Sequence, residues 1–171
     1  CELSNYRGPD PVNVLFICHA NTSRSIMAET LLRRMLEERG LGERIHVDSA
    51  GVAAYARDGA LVSLDAKFAL RDLGIELPVE LTSTDLKRNL HLLESADLVL
   101  AMTEEQKALV ERLAGAAGKR ILTLRELAGE SGDIADPATR DESFFQQTCA
   151  EIRRCLEKSL PGLIEAAAGP A

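Results

Sequence analysis

One cysteine, one arginine and a proline-flanked aspartate carry the chemistry this sequence can do. The stretch VLFICHANTSRS, residues 14–25, runs four apolar residues into Cys18 and places Arg24 six positions later. Small or polar residues fill the gap: His19, Ala20, Asn21, Thr22 and Ser23. A loop between a strand end and a helix start offers unpaired backbone N–H groups, and the helix dipole adds positive potential there. Together these make an anion site of phosphate size. A cysteine at such a place, beside a cation, ionises readily and becomes a nucleophile. Arg24 brings a planar fork matched to two phosphate oxygens. Ser25 follows with a hydroxyl that can donate to a thiolate. The spacing alone carries little weight, and a lone cysteine after an apolar run is more often a core residue. The conjunction of strand end, small loop and helix start is what favours the chemical reading.

Displacement at a phosphomonoester also needs a proton for the leaving atom. The loop GDIADPAT offers Asp133 and Asp136 for that task. Pro137 stiffens the loop and keeps Asp136 out of helical geometry. By itself an Asp-Pro pair is usually a turn.

These groups need a scaffold. Val12 to Cys18 reads as a strand, and its consecutive apolar residues suit a parallel sheet covered on both faces. Residues 24–39 show helical spacing through Met27, Ala28, Leu31, Leu32, Met35 and Leu36, stopped by Gly40. A second strand is expected at 45–49, then a loop through Gly51. Helices are expected at 60–73, ended by Gly74, and at 82–95. A third strand is expected at 97–102. Thr103 and Gln106 form a capping-box pattern ahead of a helix. A fourth strand follows at 120–124. Thr139 and Glu142 repeat the capping pattern ahead of a last helix through Phe145, Ile152 and Leu160. Strands alternating with helices predict one α/β domain with a parallel sheet of about four strands and helices on both faces. Ligands bind such sheets at the carboxyl ends of the strands, where Cys18 sits.

The whole chain bounds the function. Its 171 residues, 46% apolar and 27% charged, are enough for one globular domain. A net charge of −7 argues against a nucleic-acid surface. No stretch reaches the roughly 18 apolar residues of a membrane helix. The four cysteines, Cys1, Cys18, Cys149 and Cys155, show no C-x-x-C spacing, so a zinc site or redox pair is not expected. Few cysteines in a chain this long point to a reducing cytoplasm. Residues 1–11 read as a flexible lead-in, residues 12–165 as the domain, and 166–171 as a tail. Because the first residue is Cys1 rather than Met, the chain is expected to be processed, trimmed or cut from a longer protein, a fused or neighbouring domain upstream being one of the alternatives.

The stretch VLFICHANTSRSIMAE resembles the phosphate-binding loop of the low-molecular-weight protein tyrosine phosphatases, whose pattern is roughly V-L-F-V-C-x-G-N-x-C-R-S-P-x-A-E. SAG at 49–51, SADLVLAM at 95–102 and DIADP at 133–137 fall in the family's order. The resemblance covers roughly residues 12 to 160. It implies a three-layer α/β sandwich with a four-stranded parallel sheet in the order 2-1-3-4. It implies hydrolysis of phosphorylated protein side chains, of the phosphotyrosine type with phosphoarginine as the alternative, through a cysteinyl-phosphate, with no metal and no cofactor. By carry-over Cys18 is the nucleophile, Arg24 the phosphate clamp, Ser25 the thiolate's hydrogen-bond donor and Asp136 the general acid. Asn21 resembles the residue that holds the loop, and residues 19–25 form the phosphate-binding loop.

The departures bear on substrate. Ala20 stands where the family has Gly, and a positive φ there would strain Ala. Ser23 replaces a second loop cysteine, so a disulfide brake between loop cysteines is absent. Ile26 replaces Pro. Ala138 and Thr139 follow Asp136-Pro137 where tyrosine-specific members carry an aromatic. Thr22 and ADLVLAMTEEQK resemble bacterial relatives that act on phosphoarginine. Thr22, Tyr55 and Ala138 are therefore the selectivity positions, although a surface tyrosine is the plainer reading of Tyr55. Phe144 and Phe145 read as core; His19, beside the nucleophile, could tune the rim, although solvent-facing filler is the plainer reading. Two rivals rank lower. An arsenate reductase needs two relay cysteines, and Cys149 and Cys155 should lie on different helix faces. A non-catalytic phosphate-binding module has no need of an acid.

Overall fold

In a computed structural model the described residues are 10–138 and 140–167. The expected lead-in falls almost wholly outside them, as does the end of the tail. So do Cys1, with the domain considered upstream of it, and Thr139, with its capping box.

Strand β1 (Val12–Cys18) is the centre of the domain. Its side chains alternate between two cores. Val14, Phe16 and Cys18 face a large core, and Leu15 and Ile17 face a smaller one. That is why the apolar run is unbroken: both faces of the strand are covered. Each such side chain contributes roughly 1.5–3 kcal/mol when buried. β2 (Ile45–Gly51), β3 (Leu98–Ala101) and β4 (Arg120–Thr123) complete a parallel sheet in the order β2-β1-β3-β4. The order that the resemblance implied is the order observed.

Helix α1 (Arg24–Glu38) follows β1 and buries Met27, Ala28, Leu31, Leu32 and Leu36 in the large core. It packs there with α2 (Leu64–Arg71) and α6 (Glu142–Ala167). The smaller core holds Leu93 of α3 (His91–Ser95) and Val110 of α4 (Glu104–Glu111). Thr103 caps α4 through the reciprocal bonds expected of Thr103 and Gln106. Among the described residues no helix is long and apolar enough to cross a membrane.

Four expectations are corrected. The helix expected at 60–73 starts only at Leu64, capped by Ser63, because Leu61 bridges Thr82 and Ser83 N–H donates to Ala60 O. The helix expected at 82–95 is broken. Thr84 N–H donates to the Asn21 side chain, and Gly51 N–H to Thr84 O, which draws this segment to the sheet. Only a 3₁₀ turn at Leu86–Arg88, capped by Asp85, and the short α3 form beyond it. The fourth strand ends at Thr123, since Thr123 and Glu126 form a capping box that opens α5 (Leu124–Leu127). Finally, Cys149 and Cys155 both lie in the large core rather than on different faces. Six residues turn a helix to about 120° apart, and the buried stripe of α6 is wide enough to hold both.

Candidate active site

β1 delivers Cys18 to the carboxyl edge of the sheet and α1 starts six residues later with Arg24. Both are almost wholly buried, at 3% and 2% exposure. The loop between them turns at Asn21, whose φ is 61°. Asparagine tolerates this left-handed region better than most residues. Positive φ thus falls on Asn21 and not on Ala20, which removes the strain expected there. The turn aims the Asn21 N–H at Cys18 Sγ, 3.2 Å away. Ser23 occupies the N-cap of α1 but its side chain caps nothing. The first N–H groups of the helix are therefore free to receive an anion.

The Asn21 amide fixes the direction of a buried hydrogen-bond chain. Its Oδ1 accepts from Thr84 N–H at 2.8 Å, so its Nδ2 must be the end facing the serines. Nδ2 donates to Ser25 Oγ at 2.8 Å and to Ser49 Oγ at 2.9 Å. Ser25, already an acceptor, is left with its own proton for Cys18 Sγ at 2.8 Å. Ser49 likewise donates onward to Glu29 Oε2 at 2.5 Å. Arg33 meets the other Glu29 oxygen at 2.9 Å. Burial pushes the Glu29 carboxyl above its ordinary range, against the opposing pull of Ser49 and Arg33. Every member of the chain that touches Cys18 is thus set to donate toward sulfur.

Arg24 is held from the far side of the pocket. Its Nη1 donates to Ile134 O at 2.8 Å, and its Nη2 lies 3.5 Å from Asp136 Oδ2. The two loop aspartates separate here. Asp133 accepts from Glu104 N–H at the start of α4 at 2.9 Å, and Ile134 N–H donates to Met102 O, so Asp133 anchors the loop. Asp136 instead faces Arg24, about half exposed, its Oδ1 accepting from Ala138 N–H at 3.0 Å. Phe145 is core, as expected; Phe144 is half-buried with the Arg140 guanidinium 4.9 Å above its ring.

Around the mouth stand His19, Tyr55 and Glu105. His19 is not solvent-facing filler. Its Nδ1 lies 3.5 Å from Arg24 Nη2, and its Nε2 lies 3.8 Å from Glu105 Oε2. Tyr55 is 68% exposed, its ring tilted toward His19 at 6.5 Å between centroids. Partial burial, and then the negative charges of Asp136, Cys18 and Glu105 against Arg24, push the Tyr55 hydroxyl above the usual tyrosine range. Thr22 is half-buried, and its carbonyl accepts from Ser63 N–H at 2.9 Å, which ties α2 to the loop. Gly51 sits beneath: a Cβ there would lie 2.7 Å from His19 O and 2.8 Å from the Ala20 carbonyl carbon.

Sequence reading brought Cys18, Arg24, Ser25, Asn21 and Asp136 to one place. It missed Glu29, Ser49, Thr84 and the Ile134 carbonyl. Ser49 and Glu29 were inside the SAG and MAE stretches, but nothing in a linear sequence shows a hydroxyl bridging them. Among the described residues no three His, Cys, Asp or Glu side chains gather as a metal site.

A thiol and a guanidinium converging at the head of a strand–loop–helix, on a 2-1-3-4 parallel sheet, define a cysteine-centred phosphate-handling α/β domain. The chain belongs to the low molecular weight phosphotyrosine protein phosphatase family, whose model matches residues 13–167. It is 40% identical to a protein-arginine-phosphatase of Geobacillus stearothermophilus, across 86% of this chain and 93% of that one. It is 34% identical to the low molecular weight protein-tyrosine phosphatase A of Mycobacterium tuberculosis, across 90% of each chain. A crystal structure of a YwlE mutant from Bacillus subtilis superposes with a TM-score of 0.79 at 34% identity, covering 90% of this chain and 99% of that one.

Proposed function

We propose that the protein is a cysteine-dependent phosphatase that hydrolyses phosphorylated side chains of proteins. The observations that support this are the Ser25 hydroxyl and Asn21 N–H on Cys18 Sγ, the Arg24–Asp136 contact at 3.5 Å, and the charges of Asp136, Arg24 and Cys18 all acting on the one Tyr55 hydroxyl. The phosphoryl group sits over the loop, with the loop N–H groups and Arg24 on its equatorial oxygens. Cys18 attacks phosphorus as the thiolate, steadied by Ser25 and the Asn21 N–H. The S–P bond forms as the bond to the leaving atom breaks, and Asp136 gives that atom its proton. Asp136, now a carboxylate, takes a proton from water as the water attacks phosphorus. The S–P bond breaks, phosphate leaves and the thiolate is restored. A catalytic thiolate needs a reducing compartment, which supports the cytoplasm as the site of action.

The phosphotyrosine-type reading is the family's general one. A second reading, phosphoarginine, is favoured by the mouth itself. The chain has Ala138 where a second aromatic wall would flank a phenyl ring, and Thr22 where a bulkier apolar wall would stand. The Geobacillus relative carries that activity in its name.

The rivals fare less well. A disulfide relay for arsenate reduction draws on attacking thiolates. Cys149 is buried in the core of α6, and burial pushes its thiol up to about 11. A module that only binds phosphate leaves Asp136 without a task.

Hydrolysis of p-nitrophenyl phosphate tests the proposal. Turnover is expected in the wild type and is expected to vanish in Cys18→Ser and to collapse in Arg24→Ala. Undiminished activity in Cys18→Ser would remove the covalent mechanism.

A further inference from the structure

The pocket floor and the pocket mouth have opposite electrostatic character. At the floor stand the buried cationic Arg24 and the start of α1, which suit a phosphoryl dianion. At the mouth two carboxylates, Asp136 and Glu105, stand with one aromatic face, Tyr55. Asp136 is committed to proton transfer. Glu105 has no part in that chemistry, yet it is not a random surface acid. It lies in the first turn of α4, whose N-terminus the fold brings to the carboxyl edge of the sheet. The imidazole that faces it at 3.8 Å is the one that faces Arg24 at 3.5 Å. The same Glu105 charge is felt at the Tyr55 hydroxyl. These relationships place its carboxylate at the rim, beside His19 and near Tyr55.

A carboxylate there is unhelpful to an aryl phosphate. It adds negative charge near a dianion and offers a neutral ring nothing to pair with. A guanidino group reverses the balance. It is planar and cationic, its N–H edges match a carboxylate, and its face stacks on an aromatic ring. One side chain could meet Glu105 on its edge and Tyr55 on its face.

We propose that Glu105, faced by His19 at the rim, is a specificity-determining residue that reads the substrate's leaving group as a guanidinium and so selects phosphoarginine. This rests on the phosphoarginine reading of the same site. It also assigns that selection to a residue outside the phosphate loop and outside the Asp136 loop. The P–N bond then breaks where a P–O bond would, and Asp136 protonates the departing nitrogen.

The experiment compares kcat/KM on a phosphoarginine peptide and a phosphotyrosine peptide of matched sequence. It does so in wild type, Glu105→Asp, Glu105→Gln and Glu105→Lys. Because Glu105 is 75% exposed, the effect is that of a solvent-screened charge. The phosphoarginine-to-phosphotyrosine ratio is expected to fall about three- to tenfold in the Gln variant and further in the Lys variant. It is expected to be largely kept in the Asp variant. Wild-type turnover of phosphoarginine with a ratio that does not move across the series overturns the role of Glu105 and leaves the phosphoarginine reading standing. Wild-type turnover of phosphotyrosine alone overturns that reading and the role of Glu105 with it. A wild type inactive on both peptides and on p-nitrophenyl phosphate overturns the phosphatase assignment itself.

Discussion

Asp136 Oδ2 lies 3.5 Å from Arg24 Nη2, so the proposed acid and the proposed phosphate clamp face each other directly. The guanidinium is buried and the carboxyl is half exposed. A bound phosphoryl group would compete with Asp136 for the same Nη2 edge, freeing the carboxyl to turn toward the leaving atom. Ile134 O keeps hold of Nη1 meanwhile. On the proposed mechanism Arg24 would be anchored through one arm and would meet the phosphoryl group with the other.

That division of labour predicts that Arg24→Lys fails almost as badly as Arg24→Ala. An ammonium cannot bond Ile134 O and two phosphate oxygens in one plane. Both variants are expected to lose about 10²–10³ in kcat on p-nitrophenyl phosphate. A Lys variant within a few-fold of wild type would show that only charge matters at this position.

Asp136→Asn removes a transferable proton while keeping size. Its cost is expected to depend on the leaving group. In kcat/KM, which reports the first step, the loss should be about 10²–10⁴-fold for substrates whose leaving group needs protonation, and much smaller for p-nitrophenyl phosphate. Steady-state kinetics across a series of aryl phosphates of graded leaving-group pKa reads this directly, while kcat falls on every substrate because the second step also needs the Asp136 carboxylate. Equal losses in kcat/KM across the series would assign Asp136 to positioning alone.

Asn21→Asp keeps the left-handed φ and the acceptor for Thr84 N–H but loses both donors. The Ser25 hydroxyl would then turn to the new carboxylate and away from Cys18. A hydrogen bond to a charged group contributes about 1.5–3 kcal/mol, so a rate loss of roughly ten- to a hundredfold is expected. Turnover at the wild-type level would show that the direction of the chain is not what supports the thiolate.

Glu29 gives the fold a pH dependence with a defined sign. Burial raises its folded value above the ordinary 4.5. The native state therefore holds the proton more tightly than the unfolded chain does. The resulting stabilisation is fully present below the ordinary value and is lost as pH rises through the raised folded one. Glu29→Gln keeps an amide that Ser49 can still reach and removes the titration. Tm followed from about pH 4 to about pH 8 is expected to be flatter in the variant than in the wild type. A wild-type slope retained in Glu29→Gln would move the dependence elsewhere.

Much of this architecture could be read from the chain. The covered parallel strand showed in four consecutive apolar residues, and the Thr103–Gln106 cap showed in a three-residue spacing. What escaped was set by distant partners. Residues 82–84 share a helical pattern with Leu86, Leu90 and Leu93, yet Asn21 and Gly51 claim Thr84 for the site. Local propensity loses there to a buried amide that needs an N–H. The Thr123–Glu126 cap was present in the sequence, but reading 120–124 as strand masked it. His19 looked like filler because its two charged neighbours come from the same loop and from a helix 86 positions on. A backbone carbonyl such as Ile134 O has no sequence signature at all. The residues proposed to react were legible because their chemistry restricts their type; those that hold them were not, since many types can hold.

The covalent step is tested most directly by mixing enzyme and p-nitrophenyl phosphate, quenching within the first turnovers and mapping the phosphorylated peptide by mass spectrometry. A phosphoryl group on Cys18, accumulating further in Asp136→Asn, which lacks the base for the second step, is the predicted result. Steady hydrolysis with no phosphoryl adduct on Cys18 in either protein, or an adduct on another residue, would contradict it.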